Sequence, residues 1–160
     1  KVVRKKMAGT PHIMIVESRY YEEIAQHLID SVLKELYDAG ARYERFEVPG
    51  AFEIPAAIGF ALEASKLESS AKAYDGFIGL GCVVRGQTTH YDYVCGESAR
   101  GLQDLALKYS AAIGYGILTV ENRDQAVARA RRDGEDRGGH AARTCLRMIA
   151  LKKELGLIPK

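Results

Sequence analysis

The sequence lacks the features that would place it outside the cell, in a membrane or on nucleic acid. Its 160 residues hold three cysteines, Cys82, Cys95 and Cys145, and no C-x-x-C pair. An odd count at such wide spacing argues against a disulfide framework or a zinc site and fits buried, reduced thiols of a cytoplasmic protein. Long apolar runs are missing too. The early one, Ile13 to Val16, is far too short for a signal peptide or a membrane span. Neither sign of charge dominates, with 23 Lys+Arg against 21 Asp+Glu, and no basic stripe is interleaved with aromatics, so nucleic acid has no footprint here. Internal repeats and low-complexity tracts are absent.

Two phosphate motifs are also missing. There is no Walker A pattern, and Gly79-x-Gly81 cannot extend to a dinucleotide fingerprint because Val84 stands where a small residue is needed. His12, His27 and His140 fall on separate predicted elements, with no H-x-x-x-H pair or carboxylate triad, so no metal site is expected.

The length suits one domain, over residues 11–160, preceded by a basic arm over residues 1–10 that is either flexible or an edge strand added to a neighbour. Hydrophobic residues at 47% and charged residues at 28% argue against long disorder. Short apolar runs predict strands over His12–Glu17, Gly76–Val84 and Ile113–Val120, and the alternation of Tyr43, Arg45 and Glu47 against Glu44, Phe46 and Val48 predicts one over Arg42–Val48 with one wetter face. Ile24, Leu28, Val32 and Leu36 recur every four residues, marking a helix that stops at Gly40. Further helices are expected over Glu53–Leu67, His90–Tyr109, Asp124–Arg132 and His140–Leu155, with residues 133–139 as a break. The Glu53–Leu67 helix is apolar on several faces, which predicts contact with another subunit as well as with the sheet.

Alternating strands and helices imply an α/β fold, a three-layer α/β/α sandwich around a four-stranded parallel sheet in the flavodoxin-like order 2-1-3-4. In that order a ligand crevice opens at the carboxyl ends of strands one and three, where the winding reverses. Three turns reach that end: 18–21, 49–52 and 85–90. The last is the most telling, since a buried strand delivers Gly86, Thr88, Thr89 and His90 to a helix N-terminus, where free N–H groups and the helix dipole favour anions. Imidazole is also the side chain suited to moving protons near neutral pH. Tyr20 and Phe52 sit at loop-to-helix transitions on the predicted rim, where an aromatic can stack on a planar ligand.

Four blocks carry a resemblance that covers nearly the whole chain. They are Ile15-Val16-Glu17-Ser18-Arg19-Tyr20-Tyr21, Val48-Pro49-Gly50-Ala51-Phe52-Glu53-Ile54-Pro55, the stretch from Gly81 to Val94 containing Arg85-Gly86-Gln87-Thr88-Thr89-His90, and Gly116 to Asn122 continuing through Gln125-Ala126 to Arg129-Ala130. In sequence, order and spacing they resemble the lumazine synthase family. The resemblance implies a transferase of riboflavin biosynthesis that condenses 5-amino-6-ribitylaminopyrimidinedione with 3,4-dihydroxy-2-butanone 4-phosphate, with no cofactor and no metal.

It implies His90 as general acid/base, Gly86, Gln87 and Thr88 as phosphate donors, and Arg129 as a grip on the same phosphate. Tyr20 takes the position of the aromatic that stacks on the pyrimidine. Ala51, Phe52 and Glu53 match the block holding the ribityl chain and ring edge. Cys82 and Val83 match the backbone that reads the pyrimidine, and Val84 continues that segment. Tyr115, Arg129 and Arg137 match residues supplied by the adjacent subunit, so the site is expected between subunits of a homo-oligomer. Arg137 stands where the family has lysine, Tyr115 where phenylalanine is commoner. The family's Gly-x-Lys-x-Gly-Asn type turn, which goes with a sixty-subunit shell, is replaced by residues 130–136, which favours a free pentamer. The alternative is a flavodoxin-like module that binds flavin or lumazine without catalysis.

Overall fold

The computed structural model describes residues 9–67 and 72–157. Most of the arm expected over residues 1–10 therefore lies outside the described residues. The sheet has four parallel strands, β1 (His12–Ser18), β2 (Arg42–Val48), β3 (Gly76–Val84) and β4 (Ile113–Val120), in the order β2-β1-β3-β4. This is the expected order. Central β1 is buried from Ile13 to Ser18, whereas edge strand β2 has no buried residue. The alternation of β2 shows as half-buried Glu44 and Val48 against exposed Tyr43, Arg45 and Glu47, so one face is wetter although no residue of this edge strand is fully buried.

Helices cover both faces. On one lie α1 (Glu22–Asp38), α4 (Arg123–Ala130) and α5 (Arg137–Glu154), around a core that includes Ile15, Leu28, Val32, Ile78 and Cys145. On the other lie α2 (Ile54–Ala64) and α3 (His90–Tyr109), around Val16, Ile54, Ile58, Leu102 and Ile117. The four-residue spacing of α1 buries Ile24, Leu28, Val32 and Leu36, and Glu22 and Glu23 suit the positive end of its dipole. Gly40, at φ 66°, takes the left-handed conformation that closes the helix.

Three helix boundaries differ from expectation, each for a local reason. The second begins as a 3-10 turn, Ala51–Glu53, becomes α-helical at Ile54 and ends at Ala64, where the Ser65 hydroxyl donates to the carbonyl of Leu62 at 2.7 Å. Helix α4 starts at the cap Asn122, whose side chain accepts from the N–H of Gln125 at 2.9 Å. It stops at Ala130 because the chain folds back: the N–H of Glu135 donates to Ala128 O at 2.9 Å.

Helix α5 begins at Arg137 and not at His140. Asp136, in a left-handed conformation at φ 50°, accepts from the N–H of Gly139 and so caps the helix through two glycines that read as a break. Close packing is what those glycines serve. A Cβ on Gly138 would lie 2.3 Å from Leu28 O, and one on Gly114 would lie 2.1 Å from Ala141 O, so α5 presses directly on α1 and β4.

Candidate active site

The chain enters the sheet at β1, adds β2 on one side and crosses back to add β3 on the other, so the winding reverses between β1 and β3. Their carboxyl ends diverge into a cavity of about 570 Å³. The three predicted turns all reach it. From the first come Ser18, Tyr20 and Tyr21, from the second Pro49 through Glu53, and from the third Cys82 to Val84, Gly86, Thr88 and His90. Tyr91 and Val94 complete the wall from the first turns of α3. They continue the helix face begun by His90, a periodicity the sequence offered and the motif reading passed over.

The aromatic rim is where it was expected. Tyr20 is 74% exposed and Phe52 52%, both lining the cavity. Since packing buries neither ring, both present open faces to a planar ligand. Tyr20 also stands edge-on to Tyr21, with centroids 5.0 Å apart.

The anion turn is tied down from both sides. The Arg85 guanidinium donates from Nε to Glu121 at 2.7 Å, lies 4.2 Å over the Tyr91 ring and reaches Asp92 at 3.5 Å. The His90 N–H donates to the Thr88 hydroxyl at 3.4 Å, and that of Asp92 to Thr89 O at 3.0 Å. These contacts fix the segment that precedes α3, whose N-terminal dipole is directed at Gly86 and Thr88. Among the described residues no lysine or arginine lines the cavity. A bound dianion would therefore meet a helix N-terminus and hydroxyls here, and would need a cation from elsewhere.

Burial pushes the Cys82 thiol up to about 12 and raises the phenols of Tyr21 and Tyr91. These three hold their protons at neutral pH and offer donors without acting as nucleophiles. His90 stands exposed on the same rim, within the cavity lining. Among the described residues no group of three or more His, Cys, Asp or Glu is placed to hold a metal, and no helix is long and apolar enough to cross a membrane.

Four of the predicted residues are not brought into this cavity. Gln87 is exposed beside it without lining it. Tyr115, Arg129 and Arg137 line a second cavity, of about 380 Å³, along β4, α4 and α5. The two cavities share no lining residue. In the second, Arg137 pairs with Glu135 at 2.8 Å and Arg129 lies 3.8 Å from the same carboxylate, so two guanidinium groups share one negative charge. His140, weighed in the sequence only as a metal ligand, and Thr144, which was not singled out, continue the stripe of Arg137 at helical spacing. Burial raises the Tyr115 phenol.

This geometry can be set beside known proteins. The chain is 53% identical over 145 residues to 6,7-dimethyl-8-ribityllumazine synthase 1 of Rhizobium meliloti, covering 91% of this chain and 94% of that protein. It is 52% identical over 146 residues to the 6,7-dimethyl-8-ribityllumazine synthase of Agrobacterium fabrum, covering 91% and 97%. With the Bartonella tribocorum protein of the same name, 48% of 152 residues are identical, covering 95% and 97%. Residues 10–153 match the 6,7-dimethyl-8-ribityllumazine synthase family, and the chain belongs to that family.

Proposed function

We infer that this chain is the enzyme that joins 5-amino-6-ribitylaminopyrimidinedione to 3,4-dihydroxy-2-butanone 4-phosphate, giving 6,7-dimethyl-8-ribityllumazine, inorganic phosphate and two waters. The observation that carries the reading is the single cavity in which His90, the Gly86–Thr88 turn and the aromatics Tyr20 and Phe52 meet. The pyrimidine stacks on Tyr20, its edge read by the backbone of Cys82 and Val83 and its ribityl chain held along Ala51, Phe52 and Glu53. The phosphate of the second substrate sits at the N-terminus of α3 against Gly86, Gln87 and Thr88. The amine attacks the ketone to form an imine with loss of water. Phosphate then leaves, and ring closure expels a second water. His90 moves protons at these steps, a role typically worth about 10² to 10⁴ in rate. Holding two reactive molecules together supplies much of the remainder.

The cation missing from the cavity comes from a second protomer. Arg129 and Arg137, with Tyr115 beside them, lie in the other cavity, and a ring of chains brings one protomer's arginines to its neighbour's phosphate turn. A pentamer suits this arrangement. Phe60 on α2, 73% exposed, and Leu107 on α3, 72% exposed, leave apolar surface for a neighbour. The turn over residues 130–136, which differs from the family's shell-forming turn, favours a free ring of about 88 kDa over a shell of about 1 MDa, from a chain of 17.6 kDa. Three free thiols suit the reducing cytoplasm.

The test mixes purified protein with both substrates and follows lumazine absorbance and released phosphate above the uncatalysed background. Equal amounts of both products, slowed but not abolished in His90→Ala, are expected. Background-level product from folded protein, with tight flavin binding, would make this a binding module instead.

A further inference from the structure

Tyr20 poses a mechanical problem. A ring that is 74% exposed is not held in place by packing, and α1, which follows it, has no side-chain cap at Tyr21. Something else must fix the turn if the ring is to stack reproducibly on a ligand. Beneath it lies Glu17, at the end of β1, 4% exposed. Each carboxylate oxygen takes one arginine. Oε1 accepts from Nε of Arg45 of β2 at 2.8 Å, with Nη2 of the same guanidinium 2.6 Å away, and Oε2 accepts from Nη1 of Arg19 at 3.1 Å.

Arg19 precedes Tyr20 directly, and its remaining donors go to Glu22 and, at 2.9 Å, to Gln26, both on α1. Arg45 lies three residues before Val48, where β2 runs into the Pro49–Phe52 lip. One buried carboxylate thus links the turn bearing Tyr20 to the strand that leads into Phe52, without lining the cavity.

We propose that Glu17 is a positioning residue for the pyrimidine substrate, setting the relative placement of Tyr20 and Phe52 through Arg19 and Arg45. The inference rests on the proposed placement of the pyrimidine at Tyr20. It follows that disturbing the link loosens the pyrimidine's half of the site and spares the phosphate turn, which is anchored separately through Arg85 to Glu121. A merely structural ion pair would lower stability without distinguishing between the substrates.

Two variants test this. Glu17→Gln removes the charge that gathers both arginines. Arg45→Met cuts the tie to β2 while leaving Glu17 paired with Arg19, so no unpaired carboxylate is buried. In each, KM for the aminopyrimidine should rise about threefold to tenfold, KM for the butanone phosphate should stay within about twofold, and kcat at saturation should change little, because misplacement of a positioning group is felt where it acts. Arg45→Lys, which keeps a cation at Oε1, should recover part of the loss. Calorimetric titration with 6-ribitylaminopyrimidinedione, which lacks the reacting amine, reads the same effect without turnover. Wild-type protein that makes no lumazine would overturn the proposed function. Variants that bind this probe as the wild type does, or that weaken both substrates equally, would overturn the positioning role alone.

Discussion

Two cavities without a shared residue make a quantitative prediction about mixed assemblies. Under the proposed function His90→Ala damages the proton-transfer half of the site and Arg129→Ala the phosphate grip, and each homogeneous variant should retain no more than about a tenth of wild-type activity, given what acid/base groups and charged contacts are worth. When the two are co-assembled in equal amounts, the proposed shared site takes its His90 half from one protomer and its Arg129 half from the next. The first half is intact in half of the cases, the second likewise and independently, so about a quarter of the sites are wild type. The assay is the initial rate of lumazine formation after the variants are unfolded together and refolded, with each refolded alone as control. About a quarter of the wild-type rate is expected, well above either parent. Were both halves drawn from one chain, every site would carry a lesion, and the mixture would give only the mean of the two parents. That result would refute the shared site.

Other consequences follow from single contacts. Gly114→Ala places a methyl 2.1 Å from Ala141 O and should cost about 1–3 kcal/mol in denaturant unfolding, the range for overpacking a dense core; an unchanged midpoint would mean that α5 does not press on β4. Asn122→Ala removes the cap of α4 at a cost of about 1 kcal/mol and, because α4 carries Arg129, should raise KM for the phosphate substrate before it alters kcat. Burial holds both Cys82 and Cys145 up to about 12, so neither thiol should be alkylated by iodoacetamide at pH 8 in folded protein, as mass spectrometry would detect. The Tyr74 phenol is also pushed up to about 12, by burial and by its hydrogen bond to Glu44. Its folded value lies above the unfolded one, so its stabilisation is whole below about pH 10 and is lost as pH rises towards 12. Tyr74→Phe should therefore flatten the alkaline decline in the denaturation midpoint.

The parts of this molecule that were legible in the sequence are those set by a local period or by topology. Apolar runs marked the buried strands, the four-residue spacing of Ile24 to Leu36 marked α1, and the order β2-β1-β3-β4 located a crevice that Tyr20, Phe52 and His90 all reach. What escaped was set by contacts between distant residues. Gly138 and Gly139 read as a break because glycine weakens an isolated helix, yet here the missing Cβ lets α5 approach Leu28 O, a partner more than a hundred positions away. Arg129 matched the phosphate grip by resemblance and Arg137 a residue supplied by the adjacent subunit, but nothing in their spacing could place them together in a cavity separate from His90. Glu17 was hidden for a similar reason. On an apolar strand a glutamate reads as an anomaly, and only the pairing of β1 with β2, which sets Arg45 opposite Ile15 and within 2.6 Å of Glu17, supplies the second positive charge that makes its burial tolerable. Such contacts are under-represented in any one-dimensional reading, because the distances that decide them, from Glu17 to Arg45 or from Gly138 to Leu28 O, lie between elements far apart in the chain.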